Sequence, residues 1–202
     1  MVIVGNDPAT VETDLVERRL MCPGCLRLMC PGCLSPLAPW GFARERVLRD
    51  GLVLRPRRAV CSEEGPKATH VLLAEDCLAR RAYRAEVIGG VLEAVFAGHK
   101  PFEDVARLAG VAPDTVYDWL RRFRRNAVAV ARHFARWLAA LLPGRALPGP
   151  TGPAAAYAIE MIGAAAKAAS LCFGPKAPWS WASAMSGGRL LSNTSPPWPL
   201  PE

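Results

Sequence analysis

Residues 102–123 read FEDVARLAGVAPDTVYDWLRRF, and their spacing predicts a helix-turn-helix, a unit that lays its second helix in the major groove of DNA. Ala106 falls where two short helices would cross and only a small side chain fits. Gly110 follows four residues later, at the turn, where a left-handed backbone costs glycine nothing. Val105, Ala109, Val111, Val116 and Trp119 fall on the side such a unit turns toward its core. Pro113 suits the first turn of the second helix, where a missing N–H is harmless.

The expected contacts follow from that placement. Asp114, Thr115, Tyr117 and Asp118 lie near the start of the second helix and are candidates for base or backbone contact. An acid there can cap the helix and favour its positive end, or accept a hydrogen bond from cytosine N4. Arg121, Arg122, Arg124 and Arg125 follow at its end, where phosphates would lie. The competing expectation is an ordinary helical hairpin in a small core.

Charge points the same way. The chain has 202 residues and a formal charge of +7. After Asp118 the only acids are Glu160 and Glu202, against ten arginines and lysines. A GC-rich genome would explain arginine over lysine but not that scarcity of acids. A basic surface favours a polyanionic partner, here double-stranded DNA.

Upstream helix signals complete the unit. Residues 79–97 are expected to be helical, with Tyr83, Val87, Val91 and Val95 in one row and Ile88, Leu92 and Phe96 in the next. Gly89 and Gly90 either weaken that helix or let another helix approach closely. Downstream, Phe123, Ala127, Val130, Phe134, Trp137 and Leu141 form a short heptad-like seam. It is either intramolecular core or a homodimer interface, and the second helix either runs on or breaks near Asn126. Residues 143–153 form a Pro/Gly linker, and Ala154–Leu171 an Ala-rich helix. Trp179, Trp181 and Trp198 are costly to leave in water, so part of the tail is expected to dock on the body.

Six of the seven cysteines lie in residues 21–77. Cys22-Pro-Gly-Cys25 and Cys30-Pro-Gly-Cys33 are two C-x2-C knuckles, each able to aim two thiolates at one point. Trp40–Leu48 and Leu52–Val60, joined through Asp50-Gly51, read as a β-hairpin. Cys61 follows it. A knuckle before a hairpin and a cysteine after it match a zinc ribbon, with Glu64 where a second C-x2-C would have its partner. Cys30, Cys33, Cys61 and His70 are the favoured ligands for a structural Zn2+. Cys77, Cys22 or Cys25 could instead be the fourth, or Cys22, Cys25, Cys30 and Cys33 could form a cage alone. A site that has lost its metal also fits. The spacings match no common iron–sulfur pattern, and no βαβ unit surrounds a redox pair. Arg44, Arg46, Arg49, Arg55, Arg57 and Arg58 on the hairpin are either a second phosphate surface or a solvated one. Cys172 is expected to be a buried apolar residue, and His99 and His133 surface or capping residues.

Enzyme chemistry is not legible. A two-metal nuclease or transposase core needs about three converging carboxylates. Glu63, Glu64, Glu75 and Asp76 sit beside the cysteines instead. No P-loop, GxGxxG or G-x-S-x-G occurs. Neither a secretory signal nor an uncharged apolar run of membrane-spanning length is apparent, since Glu160 and Lys167 interrupt the nearest stretch. The expected location is cytoplasmic, on the nucleoid.

Taken together, the segments CPGC, PLAPWGFARERV, LRPRRAVC, THVLL, RRAYRAEVIG, the 102–123 unit and PWSWASAMSGGRLL resemble an uncharacterised family of bacterial zinc-ribbon/helix-turn-helix proteins. The similarity spans roughly Met21 to Leu191. That family resembles the N-terminal DNA-binding part of insertion-sequence transposases without the catalytic domain. The resemblance implies sequence-specific DNA binding, as a transposon-associated accessory factor or transcriptional regulator. Here Leu34 follows Cys33 where the family has Gly, and a further CPGC precedes.

The expected architecture is mainly α with a small β zinc-ribbon-like N-terminal module, and a three-helix unit followed by further helices. Its segments are a zinc-ribbon-like module (1–77), a helix-turn-helix domain (78–126) and a helical C-terminal region with the linker and Trp-rich tail (127–202). The expected function is non-catalytic DNA binding. The alternatives are an interaction adaptor that binds a transposase or other protein, and a catalytically dead transposase remnant.

Overall fold

A computed structural model describes residues 2–4, 12–13, 20–22, 26–30, 33–61, 68–150, 152–192, 196 and 198. Among the described residues the N-terminal part holds nine short strands: β1 (Val2–Val4), β2 (Glu12–Thr13), β3 (Leu20–Cys22), β4 (Leu26–Arg27), β5 (Leu37–Phe42), β6 (Arg46–Val47), β7 (Val53–Leu54), β8 (Arg57–Cys61) and β9 (Thr69–Ala74). Five helices follow: α1 (Ala85–Phe96), α2 (Phe102–Leu108), α3 (Pro113–Leu141), α4 (Ala154–Phe173) and α5 (Pro178–Met185).

The expected hairpin forms, but in two stages. β6 pairs with β7 across the Asp50-Gly51 turn, and β5 pairs with β8 below it. Gly51 takes φ +86°, and Asp50 Oδ1 accepts the Leu52 N–H at 3.1 Å, the local bond that makes Asp-Gly a turn former. A bulge between Pro39 and Phe42, with Gly41 at φ +82°, separates the two stages. β9 adds antiparallel to β8, and β1 adds parallel to β9, giving a sheet of order β1-β9-β8-β5.

The helices share one core. Its largest fully buried side chains include Trp119, Phe123, Phe134, Ile88, Leu92, Met161 and Ile162, each contributing on the order of 1.5–3 kcal/mol by leaving water. The core extends from Leu78 to Trp198, so segments 78–126 and 127–202 are packed together. α3 passes Asn126 without a break and runs 29 residues, about 43 Å at 1.5 Å per residue. Its seam residues Phe123, Ala127, Val130 and Phe134 are buried within this chain's own core, so the intramolecular alternative holds for them.

α4 is the one helix among the described residues long and apolar enough to cross a membrane, by length and hydropathy. Its Ala158, Met161, Ile162, Ala165 and Ala169 lie in the shared core.

Several expectations are corrected. α1 begins at Ala85, not near 79, because Arg84 is held outside the helix by ion pairs to Asp50 and Asp76, and Cys77 forms a β-bridge with Arg84. Val87 is exposed on α1, whereas Ile88, Leu92 and Phe96 are buried. Ala109 is exposed: α2 stops at Leu108 and Ala109 is its C-cap, beyond the packed turns. His133 is not at the surface: it is buried, its Nε2 donates to the Met185 carbonyl at 2.9 Å, and Trp198 packs edge-on at 4.9 Å. Burial holds its pKa below the ordinary imidazole value. Cys172 is exposed rather than buried.

The two glycines of α1 differ. A Cβ on Gly89 would lie 1.9 Å from the Trp179 ring, while one on Gly90 would meet open space. Gly89 therefore permits the close approach of α5. Trp179 and Trp198 are buried, so the tail docks as its composition requires. Glu86 of α1 accepts the Trp179 and Ser180 N–H groups and so caps α5 from another helix.

Candidate metal centre and nucleic-acid interface

Two places in the molecule gather functional residue types. The first is the cysteine cluster. The Cys30–Ser35 knuckle is closed by Leu34 N donating to Cys30 O and Cys30 N donating to Ser35 O, both at 2.9 Å. β5 starts just after it, and Leu37 of β5 stands opposite Cys61 of β8. Ala59, two residues before Cys61 and on the same face, stands opposite His70 of β9. The sheet therefore delivers Cys61 and His70 to the side where the knuckle lies.

The Sγ atoms of Cys30, Cys33 and Cys61 lie within 4.8 Å of one another. Cys33 and Cys61 are 3.2 Å apart, and His70 Nε2 is 3.4 Å from Cys30 Sγ. A tetrahedral zinc with bonds of about 2.3 Å to sulfur has S···S edges of about 3.8 Å. Three cysteines at this spacing can bind a metal ion, and the donor set is consistent with zinc.

The local electrostatics suit that chemistry. The Ser35 backbone N–H, and then the Cys61 thiol, bias Cys33 toward thiolate, the form that ligates. Burial holds His70 below the ordinary imidazole pKa, which favours the neutral ring a metal needs. Cys30, Cys61 and His70 are buried, and Cys33 is exposed.

Leu34 is the irregular member of the knuckle. It takes φ +58°, where a β-carbon costs about 1–2 kcal/mol.

The other ligand candidates fare differently. Cys77 sits in a separate apolar cluster with Leu48, Leu54 and Leu73, and burial with the neighbouring Asp76 carboxylate pushes its thiol up to about 12. It is a protonated core residue. Cys25 and Glu64 lie outside the described residues, as does the side chain of Cys22.

The second place is the outer face of α2 and α3. Ala106 is fully buried, Gly110 has φ +63°, and Val111 N donates to Ala106 O at 3.0 Å across the turn. Val105, Val111, Val116 and Trp119 are buried beneath. Pro113 occupies the first turn of α3.

The predicted contact residues divide by exposure. Asp114, Tyr117, Arg121, Arg124 and Arg125 are exposed. Thr115, Asp118 and Arg122 are half-buried. Asp118 accepts hydrogen bonds from Arg122 at 2.7 Å and Arg121 at 3.1 Å, and Arg81 lies 3.8 Å away. The Arg122 guanidinium first, with Arg121 beside it, holds the Asp118 carboxyl below its ordinary range. Asp118 therefore positions arginines. Tyr117 packs against Phe102 at 6.4 Å, and Arg124 lies over the Phe96 ring at 5.4 Å. Val95, Phe102, Tyr117 and Leu120 floor a groove of about 490 Å³ walled by Arg121, Arg124 and Arg125.

Arg84 and Arg46 tie the hairpin to the segment before α1. Arg84 bridges Asp50 of the hairpin turn and Asp76, and Arg46 donates to the Arg81 carbonyl. Arg49 N donates to Ala82 O at 2.8 Å. On the hairpin itself, Arg55 and Arg57 lie 4.7 and 5.8 Å from the Phe42 ring centre, and Arg58 donates to Thr69.

Comparison of the chain with protein-family models, with curated proteins and with solved structures gives no match.

Proposed function

We propose that the protein is a non-catalytic, double-stranded-DNA-binding protein of helix-turn-helix type, working as a transposon-associated accessory factor or transcriptional regulator. Its β module carries a structural zinc held by Cys30, Cys33, Cys61 and His70. One observation supports it above others: the N-terminal half of α3 is packed on one side and open on the other, and the open side carries Tyr117, Arg121, Arg124 and Arg125. Any surface helix leaves one side to solvent; what favours recognition here is that the open side is rich in arginine.

In this account Asp114, Thr115 and Tyr117 face base edges or the adjoining backbone. Arg121, Arg124 and Arg125 hold phosphates and set the register. Asp118 draws Arg121 and Arg122 back along the helix and fixes their place on its surface. The metal has no role beyond closing the knuckle on the sheet, since four protein ligands leave no position for a water. A non-catalytic role agrees with the two described carboxylates near the cysteines being used in ion pairs, Glu75 with Lys176 and Asp76 with Arg84. Such a protein would act in the cytoplasm, on the nucleoid.

Binding of a mixed-sequence 30-bp duplex, followed by fluorescence anisotropy between 50 and 200 mM salt, tests it. Arg121→Ala with Arg125→Ala should weaken every duplex and reduce the slope of log K against log salt by about 1.8, at 0.9 per phosphate. An unaltered slope would remove α3 from the interface. Absence of any binding would favour the adaptor, for which the half-exposed Trp40 and Phe42 of β5 are the available anchors.

A further inference from the structure

The open side of α3 continues well past the residues assigned above. Each residue turns an α-helix by about 100°. Measured from Arg121, Arg132 then lies at about 20°, Arg125 at about 40° and Arg136 at about 60°. Phe123, Val130, Phe134 and Leu138, all buried, fall between about 180° and 260°. The four arginines thus form one strip opposite the packed seam, and all four are exposed. At 1.5 Å per residue the strip is about 22 Å long.

The strip lacks internal compensation. Asp118 reaches Arg121, but among the described residues no acid is paired with Arg125, Arg132 or Arg136. Arg121 with Arg125, and Arg132 with Arg136, lie about 6 Å apart along the axis, within the screening length of about 8–10 Å, and each pair repels internally. A polyanion relieves that repulsion. α3 is also unbroken and backed by α4, so the strip is presented as a unit.

Its length separates two jobs. The major groove is about 12 Å wide, and Asp114 to Arg121 spans about 10 Å of helix, which fits within it. Arg132 lies about 27 Å along the axis from Asp114, outside that width. We infer that Arg132 and Arg136 form a second phosphate-contacting site, which engages the backbone of the same DNA duplex beyond the groove entered by the first turns of α3. The inference rests on α3 being the recognition helix.

The test uses the full chain and the same 30-bp duplex across 50 to 200 mM salt. Arg132→Ala with Arg136→Ala should lower the salt slope by about 1.8, and combination with Arg121→Ala and Arg125→Ala should lower it by about 3.6. Lysine at both positions should restore the slope, since a phosphate contact needs charge more than shape. Arg80→Ala with Arg145→Ala, exposed but off the strip, should leave it unchanged. Wild-type binding with an unchanged slope in the Arg132/Arg136 variant would overturn this site and leave the recognition helix standing. An equal loss in the Arg80/Arg145 control would also overturn it, showing diffuse charge rather than a strip. Wild-type failure to bind any DNA duplex, or clear preference for a 30-bp RNA duplex, would overturn both.

Discussion

The helical body and the β module solve the same problem by different means. Five helices bury an apolar core that runs from Leu78 to Trp198, and aromatic side chains fill it. The strands before them are mostly two or three residues long and fall into three separate sheets with two small apolar clusters. Small units of that kind cannot bury enough surface to stand alone and need a covalent or metal staple. On the proposed reading the cysteine cluster serves stability and the helical body presentation, and Arg84, just before α1, ties the hairpin turn to the helices through Asp50 and Asp76.

Removing the metal should break this contrast most visibly. Structural zinc sites contribute on the order of 10–16 kcal/mol of apparent binding energy at neutral pH. A strong chelator, or Cys61→Ser, should abolish amide-exchange protection in β5, β8 and β9 while α1, α3 and α4 stay protected. Uniform loss across both regions would show a single cooperative unit, and no loss would show a β module that needs no metal.

Overpacking should do the reverse. Gly89→Ala places a methyl against the Trp179 ring, and should cost about 1–3 kcal/mol. Thermal melting should show the helical body destabilised with zinc content unchanged. An unchanged melting temperature would mean that α5 moves aside freely.

Leu34→Gly should act on the β module alone, and favourably. It relieves a left-handed leucine that is half-exposed, a gain of about 1 kcal/mol. Metal retention during chelator titration should improve; weaker retention would place the value of Leu34 in packing rather than backbone shape.

The smallest effect concerns pH. Burial lowers the His133 pKa, so below the ordinary value of 6.5 the unfolded chain takes up a proton before the folded one does. Stability of the helical body should therefore fall as pH drops from 7 toward 5. Gln at position 133 should flatten that decline, measured by melting temperature. A decline as steep in the variant would assign it to other groups.

The two regions also differ in how much the sequence discloses. The Asp50-Gly51 turn, the Gly110 turn and the gathering of Cys30, Cys33 and Cys61 follow from local chemistry, and each lies where its residues predict. His70 reaches Cys30 only because β9 pairs with β8 and sets it opposite Ala59. What is hidden depends on distant partners. β9 pairs with β8 and, in parallel, with β1 from nearly seventy residues away. His133 on a basic helix reads as surface, yet the Trp198 tail folds back over it. The late start of α1 comes from ion pairs to the hairpin, which no periodicity reveals. Ala109 fails because α2 stops one residue before it, and Cys172 because α4 outlasts its core contacts.

Amide chemical shifts of the full chain, followed during titration with a 30-bp duplex, test the central claim most directly. The account predicts the largest shifts from Asp114 to Arg125, continuing to Arg132 and Arg136, with the cysteine knuckle unmoved. Shifts confined to the β module, with α3 silent, would contradict it.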